Sequence, residues 1–255
     1  MTFNCSGKVG LILIGDELLN GSRQDKHLAA VINILSQRGL SLTWIRMVGD
    51  EDELLTETFR QTLATRDIVF SFGGIGATPD DKTRQCSAKA AGVRLLRHPQ
   101  LTALLENRFA EEAYPQRIKM ADLPDGATLI PNPVNQIAGF KYLNHHFVPG
   151  FPDMAWPMVE WALDTYYPQY FDDTPAVEQR WLLCNVHESS LIPMMEELLS
   201  TFPEVGLSSL PSTQNRGQID FGIKGKAPAV AEAAKWFEQQ MAELKVDCKP
   251  LQNNG

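Results

Sequence analysis

Residues 67–72, DIVFSF, run straight into residues 73–83, GGIGATPDDKT, and this junction decides the fold. The first six residues carry the β-branched and aromatic side chains of a buried strand. Gly73, Gly74 and Gly76 then allow a tight turn, and with no Cβ they let the main chain come close to a ligand. A helix is expected over residues 84–91, stopped by Gly92. Strand, glycine turn and helix start together make a backbone cradle whose free N–H groups suit an anion such as phosphate. Asp80 and Asp81 repel an anion unless a divalent cation lies between, and hard carboxylate oxygens suit such a cation. The simpler alternative is that one aspartate caps the helix and the other is solvated.

Toward the N-terminus, residues 9–14 form an unbroken apolar run that suits a strand covered on both faces. A loop over 15–24 leads to a helix over 25–38, with Leu28, Val31, Ile32 and Leu35 at helical spacing and Gly39 as its stop. Residues 42–48 read as a second strand. Asp50 is placed to cap the next helix, with Glu53 three residues on as in a capping box. Leu55, Phe59 and Thr62 line one face of that helix. The β-α-β-α-β order predicts a layered α/β domain, whose ligand site lies beyond the carboxyl ends of the strands. Gly15-Asp16-Glu17, Asp50 and residues 73–81 all fall at strand exits and can therefore converge.

Further on, helices are expected over 99–113 and 114–121, a hairpin over 140–148 with Asn144 at its turn, and a helix reaching about residue 166. Residues 167–175 break the pattern and read as a linker. Beyond it come a strand (180–186), a helix (191–199), two strands (near 205–210 and 218–223) and a helix (228–244). Leu191, Met194, Met195 and Leu198 form one apolar stripe. Val230, Ala234, Phe237, Met241 and Leu244 form another. His145 and His146 are neighbours in a strand, so they point to opposite faces and are poorly placed to chelate one ion.

The 255 residues carry a formal net charge of −8, which argues against a nucleic-acid or anionic-membrane surface. Residues 176–249 hold seven basic and ten acidic side chains, and their GxxG string (222–225) follows a strand rather than joining helices, so RNA binding is not expected. The run 9–14 is too short to span a membrane and lacks a cleavage pattern. A cytoplasmic location is expected. The four cysteines form no CxxC pair and are expected as reduced thiols, with Cys86 in a packing role.

In these positions the chain resembles the molybdopterin-binding, molybdenum-cofactor-biosynthesis family (MoaB/Mog-like). Gly-Gly-x-Gly followed by Asp81 and Thr83 is similar to that family's signature. The form with Thr78 ahead of Asp80-Asp81 resembles its competence/damage-inducible protein A (CinA-like) branch. Residues 14–19 (IGDELL), 48–50 (VGD), 132–134 (NPV), 139–140 (GF) and 148–154 (VPGFPDM) match its strand exits and later loops in order. The resemblance implies a three-layer α/β/α domain with a mostly parallel sheet over residues 1–170. A small α+β (KH-like) domain over 176–250 follows, in a short form without the deamidase domain of many longer relatives. It further implies a small-molecule nucleotide or pterin as ligand, molybdopterin among them, and a homo-oligomer, a dimer ahead of a trimer.

Carried over position by position, Asp50 and Asp81 match the two aspartates held essential in the molybdenum-cofactor branch, and catalysis is assigned to them. Asp16, Asp80 and Asp81 are assigned to a divalent metal, magnesium or cobalt. Substrate contacts are assigned to Gly15, Glu17, Gly73, Gly74, Gly76, Thr83, Asn132, Gly139, Pro149 and Gly150. Asn132 is expected to read a base or pterin edge, and the Thr83 hydroxyl has the alternative of stabilising the helix start. Two departures stand out. Asp25-Lys26-His27 replaces the branch's common Asp-Thr-Asn; with Arg23 it makes a cationic cluster, so Lys26 and His27 are expected on a phosphate or ribose, a solvated helix start being the alternative. Asn135-Gln136-Ile137-Ala138-Gly139 replaces a Gly-Thr-Ala-Pro-Gly loop. The leading expectation is metal-dependent hydrolysis of a nucleotide diphosphate such as ADP-ribose. The alternatives are molybdopterin binding in cofactor biosynthesis and a non-catalytic binding module, the latter disfavoured by the clustered, mutually repelling carboxylates.

Overall fold

Strand β1 (Val9–Ile14) is buried at every position because its side chains feed two cores in alternation. Val9, Leu11 and Leu13 point into one, Ile12 and Ile14 into the other. A computed structural model describes residues 5–174, 176–215 and 217–251. After β1 come α1 (Asp16–Leu19), α2 (His27–Ser36), β2 (Leu42–Val48), α3 (Asp52–Leu63), β3 (Ile68–Phe72), α4 (Thr83–Ala91), β4 (Leu95–Arg97) and α5 (Pro99–Phe109). Then follow β5 (Asp122–Pro124), β6 (Thr128–Ile130), β7 (Gly139–Tyr142), β8 (His145–Val148) and α6 (Pro152–Tyr166). The main sheet has the order β2-β1-β3-β8-β7-β6. Its first three pairings are parallel and the last two antiparallel. Helices α2 and α6 cover one face with Val31, Leu35, Met158 and Leu163. Helices α3, α4 and α5 cover the other with Leu55, Phe59, Cys86 and Leu105. This is the expected three-layer α/β/α arrangement with a mostly parallel sheet.

The chain runs from β1 outward to β2 and then back to β3 on the other side of β1. The direction of winding therefore reverses between β1 and β3, and a crevice opens at their carboxyl ends. Gly73 closes this point from below: its φ is +102°, and a Cβ there would stand 2.6 Å from the Ile14 carbonyl oxygen.

Several local expectations change. The loop at 15–24 contains the short helix α1. On α2, Ile34 is buried in place of Ile32, which is 48% exposed. Asp50 does not cap α3: Glu51 holds the cap position without a side-chain bond, because the Asp50 carboxylate is drawn to the Asp16 N–H instead. The helix from Pro99 stops at Phe109, where Ala110 turns to φ +48°, and residues 110–113 and 117–121 are short 3-10 turns. Pro115 between them has no N–H with which to continue a helix. The linker starts later than residue 167. Tyr167 is buried in the first core, and the Tyr170 hydroxyl donates to the Cys5 carbonyl. Pro175 lies outside the described residues.

The chain divides into a unit ending at Phe171 and a second beginning at Asp172. The second has β9 (Val177–Cys184), α7 (Glu188–Thr201), β10 (Gly206–Pro211), β11 (Gln218–Gly225), α8 (Ala227–Glu243) and β12 (Asp247–Leu251). Its sheet is antiparallel in the order β10-β11-β9-β12. It is the expected small α+β unit with one more strand, β12, making a split β-α-β pattern. Trp181, Phe221 and Phe237 form its core, the two phenylalanine rings stacked at 4.6 Å. Leu244, expected in the α8 stripe, is 52% exposed because it sits past the helix end.

Candidate functional site

A cavity of about 450 Å³ lies at the switch point, beyond β1, β3 and β8. Gly15, Glu17, Asp50, Gly73, Gly74 and Gly76 line it, as do Asp80, Asp81, Asn132, Pro149 and Gly150. The glycine turn is held from behind by Thr83, which is fully buried. Its N–H donates to the Gly74 carbonyl at 3.0 Å and its hydroxyl to the Gly73 carbonyl at 3.0 Å. Thr83 thus builds the turn and does not line the cavity.

Neither aspartate after the turn caps α4, whose cap position is Lys82 with no side-chain bond. Asp81 Oδ2 accepts from the Thr78 N–H at 2.9 Å and from the Thr78 hydroxyl, so it folds the 76–81 loop onto itself. Asp16 and Asp50 clasp one another. The Asp16 N–H donates to Asp50 Oδ2 at 3.0 Å, and the Asp50 N–H donates to Asp16 Oδ1 at 3.1 Å. That clasp joins the exits of β1 and β2. Burial pushes the Asp50 pKa up, the Asp16 N–H pulls it down, and the carboxylates of Asp16, Glu17 and Asp80 add a further upward push.

Among the described residues, no group of three or more histidine, cysteine or acidic side chains converges into a metal cage. Asp16, Asp50 and Asp81 each give one oxygen to the backbone. The set still fits magnesium in its usual phosphate-site form, where one or two carboxylates suffice and ligand phosphates and waters supply the rest. Asp81, which keeps one oxygen without a hydrogen bond among the described residues, and the exposed Asp80 would hold it, leaving the free oxygen of Asp50 for a proton.

Other assigned residues have their side chains engaged or lie outside this cavity. The Asn132 side chain organises its own loop, accepting from Val134 and Asn135 N–H groups and donating to the Ile137 carbonyl. Gly139 is buried within β7, with no room for a Cβ beside the Phe147 carbonyl. Lys26 and His27 line a neighbouring cavity of about 530 Å³. His27 is 6% exposed, packs tilted against Phe72 with ring centroids 4.4 Å apart, and directs Nε2 to the Gly150 carbonyl at 3.3 Å. The Arg23 guanidinium donates to the same carbonyl at 3.2 Å. These two side chains brace the Gly150 loop, which packs on Gly73. Asn135, Ile137 and Ala138, from the altered loop, form part of the main cavity wall.

Sequence reasoning missed Arg84, which lines the cavity at 3% exposure. Its position was a signal: a cation in the first turn of a helix opposes the macrodipole and calls for a reason.

Residues 10–169 match the family described as a probable molybdopterin binding domain. A protein of Pyrobaculum calidifontis is 29% identical over 243 residues, covering 92% of this chain and 93% of its own length. A CinA-like protein of Shewanella woodyi is 32% identical over 197 residues, covering 74% of this chain but only 46% of that longer protein. The structure of CinA from Thermoplasma acidophilum, described as of unknown function, superposes with a TM-score of 0.56 at 28% identity, covering 62% of this chain and 96% of that one.

Proposed function

Because the chain belongs to the family of probable molybdopterin binding domains, we propose that its pocket takes the diphosphate of a nucleotide or an adenylated pterin and, with a divalent cation, hydrolyses it. The observation that carries this reading is the glycine turn at the β1/β3 switch point, opening beside Asp50 and Asp81. The turn's N–H groups hold phosphate oxygens. Asp50, with its pKa raised, takes a proton from water at the rim. The water oxygen bonds to one phosphorus, the bridging P–O bond breaks, and two phosphomonoesters leave. A bound divalent cation would screen the phosphate charge and polarise the phosphorus. The test is hydrolysis of ADP-ribose, FAD, NAD and adenylated molybdopterin with magnesium or cobalt, read by phosphorus NMR. Product should form with at least one substrate and vanish with chelator. No turnover across the panel would overturn the hydrolytic reading.

A second reading, binding of molybdopterin without turnover, is favoured by one observation. No group of three or more histidine, cysteine or acidic side chains among the described residues is placed to hold a metal ion by itself. In that case molybdopterin binds, and no diphosphate in the panel is cleaved.

A further inference from the structure

Arg84 sits on the second residue of α4, beneath the glycine turn, and is 3% exposed. Its Nη2 donates to the Gly76 carbonyl at 2.6 Å. Its Nη1 donates to the Lys119 carbonyl and, at 3.4 Å, to that of Asp122. Every one of these acceptors is a neutral backbone oxygen. Its Nε has no hydrogen-bond partner, and among the described residues no carboxylate lies within ion-pair distance. Burial pulls the guanidinium's pKa down, and Asp81 and Asp122, farther off, push it back up. A desolvated charge at the positive end of a helix is unfavourable on both counts unless an anion offsets it.

The pocket mouth is mainly of the opposite sign. Glu17, Asp50, Asp80 and Asp81 line the cavity together with the half-exposed Arg23, which pairs with Glu17 at 3.6 Å, and Asp80 is exposed. The arrangement is an acidic rim over a wall that contains one buried cation. Asp81 and Asp122 offset the Arg84 charge only from a distance, so a neutral ligand would leave it without a close counter-ion, and a bare cation would satisfy only the rim.

We propose that Arg84 is the fixed counter-charge of this pocket, selecting a ligand that brings an anionic phosphate group to the wall beside Gly76. Arg84 also ties the Gly76 carbonyl of the turn to residues 119–122. This inference rests on the diphosphate reading above and names the residue that makes the acidic pocket receptive to it.

The experiment is calorimetric titration of the full chain with inorganic pyrophosphate, with and without magnesium, in Arg84→Gln and Arg84→Lys. Gln keeps a donor for a carbonyl and removes the charge; Lys keeps the charge and loses the fork. The charge role predicts affinity lower by on the order of tenfold or more in Arg84→Gln and a distinctly smaller loss in Arg84→Lys. Equal losses in both variants, or wild-type affinity in Arg84→Gln, would overturn it, the first outcome marking a purely structural strut. Should both variants fail to fold, a structure of the unsubstituted chain with pyrophosphate decides the matter. A phosphate oxygen within about 5 Å of the guanidinium supports the proposal, and an anion seated elsewhere rejects it. Failure of the unsubstituted chain to bind pyrophosphate at all removes the diphosphate reading itself, whereas binding that ignores Arg84 removes only this inference.

Discussion

Asp81 has two jobs that one substitution separates. Its Oδ2 anchors Thr78, and its charge faces the cavity. Asp81→Asn keeps an acceptor oxygen for the loop and removes the charge. The variant should fold like the parent and hydrolyse any diphosphate substrate on the order of 10²-fold more slowly, because metal electrostatics are lost. Unchanged turnover in steady-state assays would contradict the role given to Asp81. The Asp16–Asp50 clasp makes a stability prediction at the same scale. Asp16→Ala deletes the acceptor for the Asp50 N–H and should lower unfolding free energy by about 1 kcal/mol, while Asp16→Asn keeps the bond and most of that stability. Urea unfolding of the two variants measures the difference, and equal values would show that the clasp holds nothing.

Strand β8 carries a prediction that belongs to the element. His145 and His146 are both fully buried, on opposite faces of the strand. Thr62 donates its hydroxyl to the Thr58 carbonyl, so it accepts from His145 Nε2 at 2.9 Å, which makes that ring the Nε2–H tautomer. His146 directs Nδ1 at the Val69 carbonyl and receives the Tyr167 hydroxyl at Nε2, which makes it the Nδ1–H tautomer. Burial lowers both pKa values to about 3. Since the folded values lie below the unfolded value of about 6.5, the unfolded chain binds more protons as pH falls. Stability is therefore full above about pH 6.5 and is lost progressively toward about pH 3, by about 2 kcal/mol per histidine at pH 5. Thermal unfolding at pH 7.5 and 5 should show the fall, and a midpoint indifferent to pH would refute it. The loop before β7 bears on specificity: Ile137→Ala enlarges the cavity wall and should change the ranking of substrates in the panel more than it changes folding.

At the scale of the whole molecule, among the described residues the first unit's two cores draw on residues up to Phe171, and the second unit's core on residues from Trp181 onward. Each unit therefore holds its own apolar burial, the main source of folding free energy. A chain truncated after Phe171 should fold and bind the same phosphate ligand as the full chain. A folded truncation, judged by circular dichroism, that binds nothing the full chain binds would assign part of the site to residues beyond Phe171. Among the described residues no helix is long and apolar enough to cross a membrane.

The sequence alone determined the layered fold, because a strand buried on both faces is apolar at nearly every position, Ser71 being the one polar residue of β3. Residues 9–14 and 68–72 carry that mark, and the 3.6-residue stripes of α3 and α8 carry the helical one. It also determined that Gly15, Asp50 and the glycine turn would meet in one cavity, since residues at successive strand exits gather at one end of a parallel sheet. The individual roles within the site were beyond its reach. Asp50 has the spacing of a helix cap, yet it bonds to Asp16, 34 residues away in sequence. Thr83 resembles a ligand contact and instead bonds to the glycine turn, and Asn132, on the cavity wall, spends its side chain on its own loop. His27 resembles an exposed cation and is buried on Phe72. Each of these polar groups had several partners within reach of its chemistry, and only packing of distant segments decided which one. Arg84 is the extreme case, because its charge acquires meaning only where tertiary structure removes water and leaves neutral carbonyls around it.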